Sequence, residues 1–322
     1  MALSNMQIFN SYAYSGASET IKQQVGLFNG ASANTIVLTS GENVGDYDFD
    51  TLFSAVGNIV INRDATASGS LTPVDLEQLK SASVKVGGGT QLMRVTDTQF
   101  KWINQDPAQA GMAFGVQVAQ GMLAYMLNSA IASFVAATEA QSAIYTDATG
   151  GKASLASLNS GASKFGDRSS SIAAWVMHST SLHDIFGANL ANAQNLFKFG
   201  TVRIVDDGFG RPLIMTDSPH LVDVDGGGSG INHYYQLGLV QGALLLEDNG
   251  TYEVYDDKDI SKVNVERTMK AEFDFNLGLK GYTWDTASGG ASPSDADLAT
   301  ATNWDKVATD VKDLAGVLVK TL

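Results

Sequence analysis

Residues 173–187 read AAWVMHSTSLHDIFG and hold two of the chain's four histidines, three hydroxyl side chains and an aspartate. Hydrolases use these residue types as nucleophile, base and orienting acid. A serine nucleophile on a strained elbow needs the pattern G-x-S-x-G, and the residues around Ser179 lack both glycines. We therefore interpret this run as a short apolar strand followed by a helix that Ser179 or Thr180 caps.

The remaining histidines and carboxylates do not match a metal-binding motif. His178 and His183 are five residues apart, whereas a helical metal pair needs a spacing of four. The stretch 223–230, DVDGGGSG, begins like a calcium loop but lacks the third ligand and the closing glutamate. The alternating DYDFD at 46–50 would place three carboxylates on one face of a strand. Calcium stays open for both acidic stretches, but solvated turns are favoured, and we expect no catalytic, cofactor or metal residues.

The composition excludes several classes of protein. The chain has 322 residues, no cysteine and a formal net charge of −14. Without cysteine there is no disulfide framework, thiolate metal site or thiol nucleophile. Because DNA and RNA are gripped through their phosphates by basic surfaces, we expect no sequence-specific nucleic-acid contact. An anionic membrane face would also repel this chain.

The clearest element begins at Asp106, a good N-cap, with Pro107 at the first helical position. From 107 to 138 there is no charged residue, which meets the length test for a membrane span. Gly111 and Gly115 also form a G-x-x-x-G pair. Amide side chains oppose the membrane interpretation, because each is costly in lipid: Gln109, Gln117, Gln120 and Asn128. We predict a long helix packed by protein on both sides, whose small residues allow close approach.

The segments before this helix read as extensions. Residues 1–45 carry scattered aromatics without a lasting helical period, so we expect an arm that lies against the body or a neighbouring subunit. An excursion follows, with apolar residues at 51–62 and a polar tip at 63–73. Its return limb contains Val74, Leu76 and Leu79 at helical spacing, which predicts a partly helical start.

Behind the long helix, residues 143–260 alternate short helical and strand patterns and predict a compact α/β module with its own core. One predicted hairpin in this module turns at 248–250, which read DNG. Residues 261–284 alternate polar and apolar, which predicts one long strand, or two in sequence, with one buried face. Arms and extended loops bury little within one subunit, so this layout favours a protein that interlocks with copies of itself.

In the order and wording of its segments the chain resembles the major capsid proteins of tailed double-stranded-DNA bacteriophages with the Hong Kong 97 fold. The resemblance covers roughly residues 45 to 322 and lies in length and order more than in single residues. The stretches that carry it are VKVGGGTQLMRV, FKWINQDPAQAGMAFGVQVAQGMLAYMLNSAI, FGDRSSSIAAWVMHSTSLHDIFGANLANAQNLF, GTVRIVDDGFGRPLIMTDSP and YTWDTASGGASPSDADLATATNWDKV.

The resemblance implies an α+β fold with Trp175 and Met177 packed inward and His183 on the polar side of its helix. It implies five segments: an N-terminal arm (1–45), an extended loop with the start of the peripheral domain (46–105), the spine helix of that domain (106–142), an axial domain (143–260), and a peripheral-domain return strand with the C-terminal segment (261–322).

The implied function is that of a coat protein, not an enzyme. Pentamers and hexamers would form an icosahedral shell around packaged DNA, in a virion assembled in the host cytoplasm. The implied partners are other copies, a separate scaffolding protein and a portal, with a decoration protein left open. Candidate assembly contacts are Phe9, Tyr12, Arg63, Asp64, Trp102 and Asp106.

Three alternatives stay open at this stage. One is an encapsulin-like compartment, which shares the fold but holds cargo enzymes. Another is an acidic calcium-binding surface protein, which the two acidic stretches would suit. The third is a hydrolase using Ser179 and His183, which needs a pocket that the sequence does not indicate.

Overall fold

A computed structural model describes residues 5–41, 43, 45–53, 78–96, 105–186, 194–195, 203–206, 210–225, 228, 230–261 and 266–322. The α-helices in these ranges are α1 (Asn5–Ala31), α2 (Pro107–Glu139), α3 (Leu155–Ser163), α4 (Ser179–Phe186) and α5 (Asp295–Leu298). Short 3-10 turns cover Gly166–Ser171, Pro219–Leu221, Ala301–Asn303 and Val311–Asp313.

The described strands follow in chain order. They are β1 (Ile36–Ser40), β2 (Tyr47–Phe53), β3 (Gln78–Gly89), β4 (Met93–Thr96), β5 (Tyr145–Ala148), β6 (Ile172–Met177), β7 (Gln194–Asn195), β8 (Arg203–Asp206), β9 (Pro212–Met215), β10 (Val222–Asp223), β11 (His233–Val240), β12 (Leu244–Asp248), β13 (Glu253–Asp259), β14 (Glu266–Leu279), β15 (Tyr282–Trp284), β16 (Trp304–Lys306) and β17 (Gly316–Thr321).

The first sheet is built around β14, in the order β1-β12-β14-β3-β2. At the other end of β14, β13 continues along the edge that β12 occupies, and β4 continues along the edge of β3. Phe273, Phe275 and Leu277 are buried, while polar residues alternate with them over the first part of the strand. The predicted long strand is confirmed for its described part. One face is buried up to Phe275, but both faces are buried at the end of the strand, where Asn276 and Gly278 are also buried. Residues 262–265 lie outside the described part.

The long helix α2 begins and runs as its sequence predicts. The Asp106 side chain accepts a hydrogen bond from the Gln109 backbone N–H at 3.0 Å, and Pro107 occupies the first turn. Every residue from 129 to 138 is buried. The helix contacts strands of both large sheets, so it bridges them.

The second sheet has the order β5-β17-β11-β6-β9-β8-β7, with β10 beside β11. Its β6–β9 and β17–β5 pairs are parallel and the others antiparallel. Trp175 and Met177 of β6 are fully buried, as expected. The two short strands on either side of residues 207–211 pair antiparallel, β8 with β9. A small two-stranded sheet, β15–β16, completes the described fold.

The N-terminal arm is helical, contrary to the prediction of no lasting helical period. The buried positions described in α1 include Phe9, Ala13, Ala17 and Ile21, a stripe of residues four apart, together with Gly16. The stripe escapes a periodicity search because two of its members are alanine and the exposed residues between them carry little charge. In the last turn of α1, the Asn29 side chain pairs with both backbone groups of Leu38, at 2.9 and 2.8 Å, and so closes the outer edge of β1.

Two further predictions are wrong in their pairing or type. Gly250 of the DNG segment has φ +70°, but β12 and β13 both run antiparallel to β14, so they run in the same direction and are not a hairpin. Leu79 of the predicted helical limb lies in β3.

The segment 143–260 does not keep a core of its own. Its strands β12 and β13 lie in the first sheet, while β17 from the C-terminal segment lies in the second. One cluster of buried apolar residues runs through both sheets.

Candidate assembly surface

The two long helices touch backbone to backbone through glycine. A Cβ atom added to Gly111 would lie 2.4 Å from the carbonyl oxygen of Phe9, and one added to Gly115 would lie 2.1 Å from that of Ala13. Only glycine allows such an approach. Gly111 and Gly115 therefore form the surface of α2 on which α1 packs, and not a contact between two membrane-spanning helices.

Phe9, the first predicted assembly residue, is used inside its own chain. It is only 2% exposed and packs with Ala110 and Met269 in a small cluster separate from the main core. Its ring centroid lies 5.7 Å from that of Phe114. This burial leaves Phe9 almost no surface for another copy, so its main effect is to fasten α1 to α2 and β14.

Of the other predicted contacts, two lie in the described part of the chain and three lie outside it. Tyr12 is 44% exposed on α1, and Asp106 is exposed at the start of α2 while it caps that helix. The structure does not bring these two together with Phe9 in one site. Arg63, Asp64 and Trp102 lie outside the described residues.

Sequence reasoning missed two exposed apolar residues on the extended end of the first sheet. Gly89 faces Glu272 and Met93 faces Met269, so the strand between them carries one residue more than β14, a bulge. Leu92 lies in this bulge and is 69% exposed. Level with it on the opposite edge of β14 is Tyr255, also exposed.

One sequence signal could have found Leu92. The buried positions of β3 are even-numbered up to Val86, but Met93 resumes the inward face at an odd number. Such a change of phase is what a one-residue bulge produces. Exposed apolar groups with charged neighbours are typical of protein contact surfaces.

The histidines of the opening stretch have structural roles. The ring nitrogen Nδ1 of His178 accepts a hydrogen bond from the Thr180 backbone N–H at 3.2 Å, and Asp217 accepts one from Ser179 N–H at 3.3 Å. These side chains cap α4 in place of the predicted hydroxyl groups. His183 is exposed, as expected for the polar side of that helix.

The acidic stretches do not assemble a metal site in the described part of the chain, which contains no group of three or more candidate ligands. Asp223 instead pairs with the Lys320 ammonium at 2.7 Å. Asp225 accepts a hydrogen bond from the Gly230 backbone N–H. In β2, Tyr47 and Phe49 alternate with the acidic residues, as the strand prediction requires.

The C-terminal segment is tied to the middle of α2. The Tyr125 hydroxyl donates a hydrogen bond to Asp295 at 2.8 Å, and burial together with this carboxylate raises the pKa of Tyr125 to about 12. Trp284 and Trp304 meet edge to face with centroids 4.9 Å apart. These contacts hold β15, β16 and α5 against the helix.

Among the described helices, α2 alone is long and apolar enough to cross a membrane, and 67% of its most apolar window is buried by protein. Comparison with known proteins identifies the family of the chain that contains this bridging helix. Residues 5–318 match the family described as major capsid protein 13-like. The chain belongs to this family of major capsid proteins.

Several solved structures are similar to the chain. The capsid asymmetric unit of cyanophage Pam1 is 12% identical to the capsid protein, and the match covers 89% of this chain and 88% of that chain with a TM-score of 0.51. The capsid of Ralstonia phage GP4 is 9% identical over 89% and 87% of the two chains, with a TM-score of 0.48. The Pam1 likeness shows a shared fold. No curated protein sequence matches the chain.

The family match places the capsid protein in the bacteriophage virion and favours a structural role. It does not favour the encapsulin-like compartment or the calcium-binding surface protein. The capping role of His178 and the exposed position of His183 likewise give no support to the hydrolase interpretation. Tyr12, Leu92 and Tyr255 are apolar or aromatic side chains exposed on the surface of the single chain.

Proposed function

We propose that the capsid protein assembles as pentamers and hexamers into an icosahedral shell that encloses packaged double-stranded DNA. The observation that carries this proposal is the family match over nearly the whole chain. Closed shells of identical subunits need contact surfaces that repeat by symmetry. The shell would be assembled in the host cytoplasm.

We also propose the Hong Kong 97 assignment of the segments. Residues 1–45 would be the N-terminal arm, 46–105 the extended loop with the start of the peripheral domain, 106–142 the spine helix, 143–260 the axial domain and 261–322 the return strand. The bridging position of α2, the length of β14 and the fold likeness to the Pam1 capsid support the assignment. The strand exchange at β12, β13 and β17 means that the two domains share strands across the 143–260 boundaries.

The proposed partners follow from the same function. A separate scaffolding protein and a portal would act during assembly, and a decoration protein is left open. An acidic wall suits DNA packaging, because a surface that bound phosphates tightly would hinder movement of the genome. The net charge of −14 is of the right sign for this role.

For contacts between copies we propose Tyr12 and Asp106 of the predicted set, together with Leu92 and Tyr255. Arg63, Asp64 and Trp102 remain predictions for residues outside the described ranges. Phe9 is proposed to act indirectly, by fastening the helix that presents Tyr12.

Electron microscopy with sedimentation tests the proposal directly. The chain would be expressed alone and then with its neighbouring genes. Hollow shells or sheets of hexamers, tens of nanometres across on the general scale of virus capsids, are the expected result. A monodisperse single-chain species under both conditions would contradict self-assembly.

A further inference from the structure

The last residue of α2 carries a charge in an unfavourable place. Glu139 is the only charged residue of this 33-residue helix, and it stands at the C-terminal end, where the helix dipole disfavours a carboxylate. A compensating partner is therefore needed, and the second sheet supplies it.

The partner is a largely buried ammonium group. Lys320 of β17, whose side chain is 14% exposed, lies 3.3 Å from Glu139 and 2.7 Å from Asp223 of β10. The hydroxyl of Tyr235 in β11 donates to the same Glu139 oxygen at 3.0 Å, and Lys320 lies 5.1 Å from the centre of the Tyr235 ring. We call Glu139, Asp223, Tyr235 and Lys320 the brace.

The ammonium remains charged in this setting. Burial by itself lowers the pKa of Lys320, but the hydrogen bonds to Asp223 and Tyr235 outweigh burial and hold the pKa above its usual value. A partly buried ion pair contributes little net stability compared with apolar packing, but it penalises arrangements that separate the partners. The brace is therefore suited to selecting one orientation of α2 against the second sheet.

The two large sheets are also joined by a short connection, residues 241–243, which we call the neck. It links β11 of the second sheet to β12 of the first, with Gly242 at φ +65°. The start of β17 lies beside this neck, because Val240 N–H donates to Ala315. Lys320 is four residues past Gly316, or about 13 Å along the strand. The neck joins the second sheet to the first sheet, and the brace joins it to α2, at two separate points.

We propose that the brace fixes the angle between α2 and the second sheet and, through that angle, the curvature of the assembled shell. This inference rests on the proposed function. In a closed shell the rotation between neighbouring subunits determines closure, so a change in the shape of each subunit alters the size at which the shell closes. Glu139 and Lys320 act here as positioning residues.

The test is Glu139→Gln, which keeps an acceptor for Tyr235 but removes the charge facing Lys320. The matched control is Asp184→Asn, which removes the ion pair with the exposed Lys152 at 2.8 Å. Hydrogen exchange of the last turn of α2 and of β17 should be about tenfold faster in Glu139→Gln, from the loss of a charged hydrogen bond, and unchanged in the control. Shells of Glu139→Gln should show several diameters where the wild type and the control show one.

The outcomes separate the two proposals. Shells of a single, unchanged diameter from Glu139→Gln would overturn the role in curvature. Equal exchange rates in Glu139→Gln and wild type would overturn the brace itself. If the wild-type chain forms no shells in any condition, the proposed function fails, and the exchange comparison still decides whether the brace holds α2 to the second sheet.

Discussion

At the scale of single residues, glycine placement explains how a helix with a single charged residue finds its partner. Gly115 and Gly121 both lie in α2, but only Gly115 faces the backbone of α1. The position of Gly121 is open, with nothing within 4 Å of an added Cβ atom. The same amino acid is therefore essential at one site and dispensable at the other.

Substituting alanine at each position tests this difference. Gly115→Ala should lower the free energy of unfolding by about 1–3 kcal/mol, because the new methyl group meets a backbone oxygen that cannot move aside. Gly121→Ala should raise it by up to about 1 kcal/mol, because alanine is the better helix former. Denaturant unfolding of the two variants measures both, and equal effects would show that α1 does not seat on Gly115.

Two aspartates should respond to pH with opposite signs. Burial raises the pKa of Asp248, so the folded state holds this proton more tightly than the unfolded chain does. The contribution of Asp248 to stability is then greatest below the unfolded pKa of about 3.9 and is lost as pH rises through the folded pKa. Hydrogen bonds from the backbone N–H and hydroxyl of Thr149 lower the pKa of Asp147, whose contribution is present above the unfolded pKa and lost as pH falls through the folded one.

Asparagine substitutions test the opposite effects of the two aspartates on stability. Asp248→Asn should be more stable than wild type at pH 7, because it removes a partly buried charge but keeps an acceptor for Gly250 N–H. Asp147→Asn should be less stable at pH 7. Thermal unfolding between pH 3 and pH 7 checks both. The Asp248 difference should disappear near pH 3, below the unfolded pKa of about 3.9, whereas the Asp147 difference should shrink toward pH 3 and disappear only below its lowered folded pKa. Shifts of the same sign in both variants would contradict the assignment.

At the scale of elements, the start of α2 combines a local and an assembly role. Its cap is Asp106, and the side chain satisfies a backbone N–H that no residue within the helix could. The same carboxylate is exposed, which is why it is proposed as a contact between copies. Capping needs only an acceptor, whereas a charged contact needs the negative charge.

Two variants distinguish these roles. Asp106→Ala should cost about 1 kcal/mol of stability, while Asp106→Asn should keep the cap and lie within about 0.5 kcal/mol of wild type. If the charge contributes to assembly, Asp106→Asn should still give a lower yield of shells in sedimentation. Wild-type yields from Asp106→Asn would restrict Asp106 to its capping role.

At the scale of the whole molecule, the excursion between β2 and β3 is the segment predicted to reach other copies. Removing residues 60–75 should leave soluble subunits and no closed shells, because the loop would be lost while both large sheets keep their cores. Sedimentation and electron microscopy make the measurement, and hydrogen exchange of β14 serves as the folding control. Normal shells from the shortened chain would contradict the loop assignment.

Features that depend on residues close together in the sequence could be predicted, whereas features that depend on contacts between distant segments could not. The cap at Asp106, the strand β6 and the alternation within β14 are visible in the sequence because each depends on residues within a few positions of one another. The absence of a catalytic pattern around Ser179 could also be recognised locally. The helical state of α1 could not, because its buried stripe includes alanines whose burial becomes favourable only against Gly111 and Gly115.

The amino-acid sequence by itself therefore determined the long uncharged helix, the strand-rich α+β character, the acidic surface and the structural family. Only the tertiary structure decided which partners those elements take. The segment at Gly250 carries β13 along β14 instead of reversing it beside β12, and Glu139 meets Lys320 from 181 residues away. Local sequence sets backbone preferences through sterics and capping, whereas strand partners and ion pairs depend on contacts that exist only after distant segments have packed together.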